Sequence, residues 1–311
     1  MSLHVLFLNH RKSQCGVYDY GVRLYDIWKK SENMVFSYME VASLEEYRQI
    51  TFSSYPIILY NFHLCTMSWL SHDTISSQNI NVGILHECYP TFFHKCINTQ
   101  SDIPRPIYDS IPTELHTTNE QIKSFILHGQ NQNIPIIGSF GFGFTTKGFD
   151  KIVTYVNSQF SEAIIKIIMP YATYGDESGQ TANYVAQICN QIPRKPEIQI
   201  QIIHDYLDNN DLLYFLNSNT INIFLYDRME GRGISSTIDY ALSVHTPIGI
   251  SDSFMFRHIY DDSICVYKTP IIDCMKNGKE YLKKYKKEYS HENSIIFIEK
   301  YLTSLIPQSS S

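Results

Sequence analysis

Short apolar runs alternate with amphipathic helical segments twice over in this chain, and that alternation limits its possible folds more than any single motif. "LHVLFL" at 3–8 reads as a buried strand. The polar turn "NHRKSQCG" leads into "VYDYGVRLYDIWKK", whose Val17, Tyr20, Leu24, Ile27 and Trp28 share a helical face. "MVFSYMEV", "PIILYNFH" and "NVGILHE" continue the strands, with "SLEEYRQI" as a helix between the first two. The pattern restarts at strand "IPIIGSF", helix "TKGFDKIVTYVNSQF" and strand "AIIKIIMPYA". It runs on through helix "SGQTANYVAQICNQI", strand "EIQIQIIHDYL", helix "NNDLLYFLNSN", strand "INIFLYD", helix "SSTIDYALSVH" and strand "TPIGISD". Such alternation predicts parallel sheets covered by helices, hence an α/β fold of two Rossmann-like domains facing across a cleft.

A length of 311 residues accommodates two domains of ordinary size. The stretch 98–118 is rich in Pro, Ser and Thr, lacks a sustained period and reads as the linker, with helix-like "NEQIKSFILHGQ" behind it. The expected division is 1–130 for an N-terminal Rossmann-like domain and 131–285 for a second, C-terminal one. Residues 286–311 then carry a last helix, "SIIFIEKYLTSLI", that crosses back to the N-terminal half before a frayed tail, "PQSSS". A net charge of −6 recruits neither nucleic acid nor an acidic surface. The seven cysteines are odd in number and form no C-x-x-C pair, which argues against a disulfide framework or a zinc ribbon. No metal site is expected. No run approaches the roughly 18 apolar residues that span a bilayer, and "LHVLFL" is too short for a signal-peptide core. The expectation is a soluble, cytoplasmic protein. The cationic segment "KNGKEYLKKYKKEYSHE" reads first as a solvated helix face, and it is compatible with weak contact to anionic lipid headgroups.

Three glycine-bearing turns carry the chemistry. "IGSFGFGFTTKGF" at 137–149 is a poor Walker A loop, because Lys147 precedes Gly148 and Phe149 stands where a magnesium-binding hydroxyl belongs. It also fails as a dinucleotide fingerprint: Gly141 and Gly143 are correctly spaced, but the third position is Thr146. What remains is a strand, a glycine turn and a helix start with a lysine beside it, an arrangement that can hold a diphosphate or serve as a plain βα turn. "YDRMEGRGISSTID" at 226–239 offers Gly231, Gly233 and the N–H groups of Ser235 and Ser236 to an anion, Arg228 or Arg232 to phosphate, and Glu230 to sugar hydroxyls. The bland reading is simple N-capping by Ser235. "CGVYDYG" at 15–21 gives Gly16 for close approach of backbone to a ligand and Asp19 as a base or sugar contact. His63 and His86-Glu87 follow strands, on the edge where open α/β sheets bind ligands.

Taken together and in order, these stretches resemble nucleotide-sugar glycosyltransferases of the GT-B fold, especially the large retaining family 4 (glycosyl transferases group 1). The resemblance spans nearly the whole chain and is strongest over 134–260. It implies that Lys147 pairs with the donor diphosphate, helped by Gly141, Gly143, Arg228, Gly233, Ile234 and Ser235, with Gly16 bordering the diphosphate from the other domain. It places Glu230 against the donor sugar and His86 near the reacting sugar, with Asp19 as a further catalytic candidate. Backbone near Tyr206 and Leu207 would line the nucleobase pocket. No cofactor is implied: the donor is a substrate, and a lysine with helix N-termini stabilises the leaving diphosphate without a metal. The partners implied are a nucleotide-sugar donor and a glycan or glycoconjugate acceptor, with loops 62–76 and 89–112 forming the acceptor pocket. Two positions differ from the family. Ser139, Phe140 and Gly141 occupy the region of its usual arginine, and Ile238 stands where a second glutamate is usual, leaving Asp239 or Tyr240 as the nearest ribose contact. Those differences keep two alternatives open, a catalytically silent nucleotide- or glycan-binding relative and a nucleotide-sugar epimerase.

Overall fold

The computed structural model describes residues 2–11, 15–86, 105–172 and 175–307. Glu87, Cys88, Cys96, most of the 89–112 loop and the end of the tail lie outside the described residues. Contacts divide the chain into two units. One comprises Met1–Pro106, Gly231–Gly233 and Glu288–Ser311, and the other Ile107–Glu230 and Ile234–Lys287.

The first unit is a four-stranded parallel sheet of β1 (Leu3–His10), β2 (Met34–Val41), β3 (Ile57–Phe62) and β4 (Ile80–Leu85), ordered β2-β1-β3-β4. Strand β3 is buried at all six residues, as a continuous apolar run in a parallel sheet must be. Helix α1 (Gly16–Trp28) covers one face with Tyr20, Leu24, Ile27 and Trp28. The short α2 (Leu44–Arg48), capped by Ser43, lies with the cluster on the other face.

The second unit is a five-stranded parallel sheet, ordered β7-β6-β5-β8-β9. Its strands are β5 (Ile136–Phe140), β6 (Ala163–Ile168), β7 (Ile198–Ile203), β8 (Ile221–Phe224) and β9 (Ile248–Ile250). The helices are α3 (Glu120–Leu127), α4 (Phe149–Gln159), α5 (Gln180–Gln191), α6 (Asn209–Asn217), α7 (Thr237–Ser243) and α8 (Ile271–Glu288). Phe149, Ile152, Val153 and Val156 of α4 pack with Ala182, Val185 and Cys189 of α5 on one sheet face. Phe125 and Phe215, from α3 and α6, stack at 5.8 Å. No helix among the described residues is long and apolar enough to cross a membrane.

The boundary differs from the one composition suggests. Residues 107–130 belong to the second unit, because polar groups pin the segment there. The buried Asp211 carboxylate accepts the N–H groups of His116 (2.7 Å) and Thr117 (3.3 Å), and Tyr108 N–H donates to Ser243 Oγ (2.8 Å). At the other end, α9 (His291–Ser304) packs in the first unit. Ile298 and Leu302 sit among Val5, Phe7 and Leu24, and Trp28 Nε1 donates to Ser294 Oγ at 2.9 Å.

Strand β6 carries one polar anomaly. Lys166 is fully buried, its ammonium donates to the Ile126 carbonyl at 2.8 Å, and burial pushes its pKa down to about 8. A lysine whose folded pKa lies below its ordinary value binds fewer protons folded than unfolded between those two values, so stability rises with pH across about 8 to 10.5. Below pH 8 the burden is about 3 kcal/mol. The variant Lys166→Met should therefore be the more stable protein at pH 7 by denaturant unfolding, and its advantage should shrink above pH 8. Gln130 Nε2 also donates to the Ile126 carbonyl, at 3.0 Å, so the variant leaves no orphaned acceptor.

Candidate functional site

In the second sheet the chain runs β5 to β6 to β7 in one direction, then returns to β8 and β9 on the other side of β5. The crevice of an open α/β sheet forms where the strand order reverses, at the carboxyl ends of β5 and β8. Two of the glycine turns identified from sequence meet there. After Phe140 the chain passes through Gly141 at φ 141° and Gly143, whose absent Cβ would stand 2.5 Å from the Ala182 Cα. A 3-10 turn at Thr145–Lys147 ends on Gly148 at φ 63°, where a Cβ would lie 2.0 Å from the Leu225 carbonyl oxygen. Both the left-handed backbone and this contact exclude any other residue at 148.

The turn delivers Lys147 Nζ to 3.9 Å from the ring centroid of Tyr226, just beyond β8. The Tyr226 hydroxyl is 2.9 Å from Thr237 Oγ1, which is 2.7 Å from Ser235 Oγ. A Cβ on Gly141 would approach that same Tyr226 hydroxyl to 3.4 Å. Lys147 and Gly141 of one turn thus converge with Ser235 and Thr237 of the other on a single tyrosine. Among the described residues no carboxylate pairs with Lys147, in contrast to Lys151, which is bonded to Asp227 at 2.5 Å. Tyr226 and Thr237 were not singled out from sequence. Their only local signal is position, immediately after a strand and at a helix start.

The helices differ in how their N-termini are capped. Asn119 caps α3, Asp208 caps α6 and Ser290 caps α9. The Asp176 carboxylate fills the start of α5, accepting from Thr181 N–H and Ala182 N–H at 2.9 Å each, and its pKa is held below the usual range by those donors against the opposing effect of burial. Helices α1, α4 and α7, which follow the three glycine turns, carry no side-chain cap. At α7 the Ile238 and Asp239 N–H groups are bonded to the Ser235 and Ser236 carbonyls, at 3.3 and 3.1 Å, so only the N–H groups ahead of them could meet an anion. One detail is corrected: the Ser235 N–H is taken by the Met255 carbonyl at 3.2 Å, so the donors at this turn begin at Ser236.

The remaining candidates in this unit are spread along the same sheet edge. Arg228 is exposed, 3.9 Å from the Asp252 carboxylate, with its guanidinium 4.8 Å from the Phe254 ring centroid. Glu230 is exposed, and Ile234 is half-buried beside the buried Ser235. Asp239 is fully buried in α7, so a ribose hydroxyl would meet it only if that helix shifted. Beyond β7, Tyr206 is exposed and Leu207 buried. Next to them is an aromatic pair that sequence reasoning missed. Tyr171 stacks on His204 at 4.9 Å, and His204 Nδ1 donates to the Met169 carbonyl at 2.8 Å.

The first sheet reverses between β1 and β3, and its polar residues gather at that switch point. Gly16 is the first residue of the uncapped α1, with Asp19 in its first turn. His86 follows β4, its Nε2 2.6 Å from Asn61 Oδ1 and its ring edge-on to Tyr20 at 5.3 Å. Gly233 also falls within this unit, where a Cβ on it would overlap the His86 carbonyl oxygen. His63 has a local role, its Nδ1 accepting the Cys65 N–H at 3.1 Å.

No family model matches the sequence, and no curated protein resembles it at the sequence level. Solved structures do resemble the fold. Anabaena HepE, determined in complex with UDP-glucose, superposes with a TM-score of 0.64 at 11% identity, over 97% of this chain and 100% of that one. AviGT4, a glycosyltransferase involved in avilamycin A biosynthesis, gives 0.62 at 10% identity over 97% and 98%. A glycosyltransferase from Rickettsia africae gives 0.60 at 11% identity over 99% and 100%. Two parallel sheets, each with its own switch point, are therefore the GT-B architecture of these glycosyltransferases.

Proposed function

We propose that the chain is a glycosyltransferase moving a sugar from a nucleoside-diphosphate sugar to a hydroxyl of a glycan or glycoconjugate, with retention and without a metal. One observation carries this reading: the Lys147 ammonium, without a carboxylate partner among the described residues, rests on Tyr226 where two glycine turns and two uncapped helices meet. Glycosyl transfer expels a nucleoside diphosphate, and a fixed cation with backbone N–H donors stabilises the charge that grows on it. Glu230 is assigned to the sugar hydroxyls, Arg228 to phosphate, and the segment at Tyr206 and Leu207 to the nucleobase. In the first unit the candidates for the reacting sugar are His86 and Asp19, with Gly16 for phosphate.

The test is nucleotide release from a panel of nucleotide sugars, beginning with UDP-glucose because HepE was determined with it, in the presence of a chelator. Release of nucleoside diphosphate with formation of a glycosylated acceptor of unchanged anomeric configuration is the expected result. A silent binding protein is the second reading, favoured by the buried Ile238 in place of the second glutamate. It would raise its melting temperature with the ligand and turn nothing over. Interconversion of the donor sugar without release would instead mark an epimerase.

A further inference from the structure

We propose that the stacked pair Tyr171 and His204 is the platform on which the donor's nucleobase lies, and that this pair sets the preference for a nucleoside diphosphate over inorganic pyrophosphate. The proposal rests on the donor reading given above.

The two residues follow neighbouring strands. Ile168 at the end of β6 stands in register with Ile203 at the end of β7. Tyr171 and His204 therefore leave the sheet side by side at its carboxyl edge, where an open α/β sheet takes its ligand. Their ring centroids lie 4.9 Å apart with the planes 27° from parallel. Both rings are held in place. His204 Nδ1–H donates to the Met169 carbonyl at 2.8 Å, a bond that fixes the ring plane whether or not the second nitrogen carries a proton. The Tyr171 hydroxyl donates to Asn183 Oδ1 at 3.3 Å. Gly179, at φ 69°, opens α5 directly against the Tyr171 ring, and a Cβ there would stand 2.5 Å from Tyr171 Cδ1.

Though held by all three, Tyr171 remains 39% exposed. Fixing an exposed side chain costs rotamer freedom that burial does not repay here. A preorganised aromatic surface recovers that cost when a ligand covers it.

The pair also adjoins the turn assigned to the diphosphate. A Cβ on Gly143 would stand 2.5 Å from the Ala182 Cα of α5 and 2.9 Å from Met169 Cγ. Met169 thus lies against the glycine turn through its side chain and holds His204 through its carbonyl. A nucleoside diphosphate lying along this edge puts its phosphates at the turn and its base at the pair. Every nucleobase has a π-face that stacks on aromatic rings, and pyrophosphate has none.

The experiment is calorimetric titration of the full-length protein with UDP, GDP and ADP in turn, and with inorganic pyrophosphate. The wild-type protein should bind at least one of the nucleotides more tightly than pyrophosphate. Tyr171→Ala and His204→Ala should each weaken that nucleotide about 5- to 150-fold, the loss of one base–aromatic stack, with pyrophosphate affinity unchanged. Tyr171→Phe keeps the ring and should bind as wild type does. In proton NMR the base protons of the nucleotide should move upfield on binding to the wild-type protein, as face-to-face ring currents require. Unchanged nucleotide affinity in both alanine variants overturns the proposal and leaves the transferase reading intact, as do base protons that do not move. If the alanine variants do not fold, the wild-type spectrum decides. Nucleotide binding that depends on the pair, with no nucleotide sugar turned over, would refute the transferase reading and leave the platform standing. Failure of all three nucleotides to bind removes both.

Discussion

Replacing Lys147 by alanine is expected to lower nucleotide-sugar turnover about 100- to 1,000-fold while leaving the fold intact. The magnitude is that of removing one fixed charge-stabilising group from a transition state, about 3–4 kcal/mol. The fold should survive because the side chain is not part of the core. Lys147 is half-buried, its ammonium rests on the Tyr226 ring, and no described carboxylate depends on it for neutralisation. Loss of that cation–π contact alone costs about 1 kcal/mol. Circular dichroism and the melting temperature should therefore change little, whereas initial rates of nucleotide release should collapse. Glu230→Ala should also abolish turnover, and its exposed position makes a folding defect equally unexpected. Lys147→Ala with full activity would remove the diphosphate assignment altogether. Tyr226 offers a control on geometry. Tyr226→Phe keeps the face under the ammonium and should retain most activity, whereas Tyr226→Leu removes the quadrupole and should not.

What could be read from the sequence depended on whether the signal was local. The alternation of apolar runs and helical periods locates the described strands of both sheets, because burial on both faces of a parallel sheet forces continuous runs such as "IILYNF" and "AIIKII". Gly141 was equally legible, since a positive φ at a strand-to-helix turn demands glycine. The unit boundary was not. Residues 107–118 look like a linker by composition, yet they are held by Asp211, a residue about 95 positions further on. The free N–H assigned to Ser235 was lost to Met255 for the same reason. Asn9 reads as the start of a polar turn and Asn61 as the polar tail of a strand. Their hydrogen bond, from Asn61 Nδ2 to Asn9 Oδ1 at 2.8 Å, depends on β1 and β3 being neighbours and on Gly21 making space, and no single segment encodes that. Lys166 in "AIIKII" was passed over because periodicity cannot distinguish a buried lysine from one at a sheet edge.

Removing residues 290–311 is expected to unfold the first unit while the second keeps its structure. Helix α9 packs beside α1 on the same face of the first sheet and completes its cover. Ile298 and Leu302 are buried against Val5, Phe7, Leu24 and Trp28, and Ile295, Phe297, Tyr301 and Leu305 pack around them. Re-exposing the two buried aliphatic side chains alone loses about 3–6 kcal/mol, and the sheet residues opposite lose a comparable area of cover. The Trp28 indole N–H would also exchange its bond to Ser294 Oγ for water, a further loss of about 1 kcal/mol. These losses together match the whole stability of a typical domain, about 5–15 kcal/mol. The readout is specific to one unit, because the two tryptophans, Trp28 and Trp69, both lie in the first. Emission should shift to the red and lose its cooperative unfolding transition, while far-ultraviolet circular dichroism retains the melting of the second unit. The gentler variant Leu302→Ala should cost about 2–5 kcal/mol in the same fluorescence transition. A truncated chain with blue-shifted tryptophan emission and a sharp transition would mean that α1 and the sheet close their own core, and that α9 is an accessory to a unit already complete.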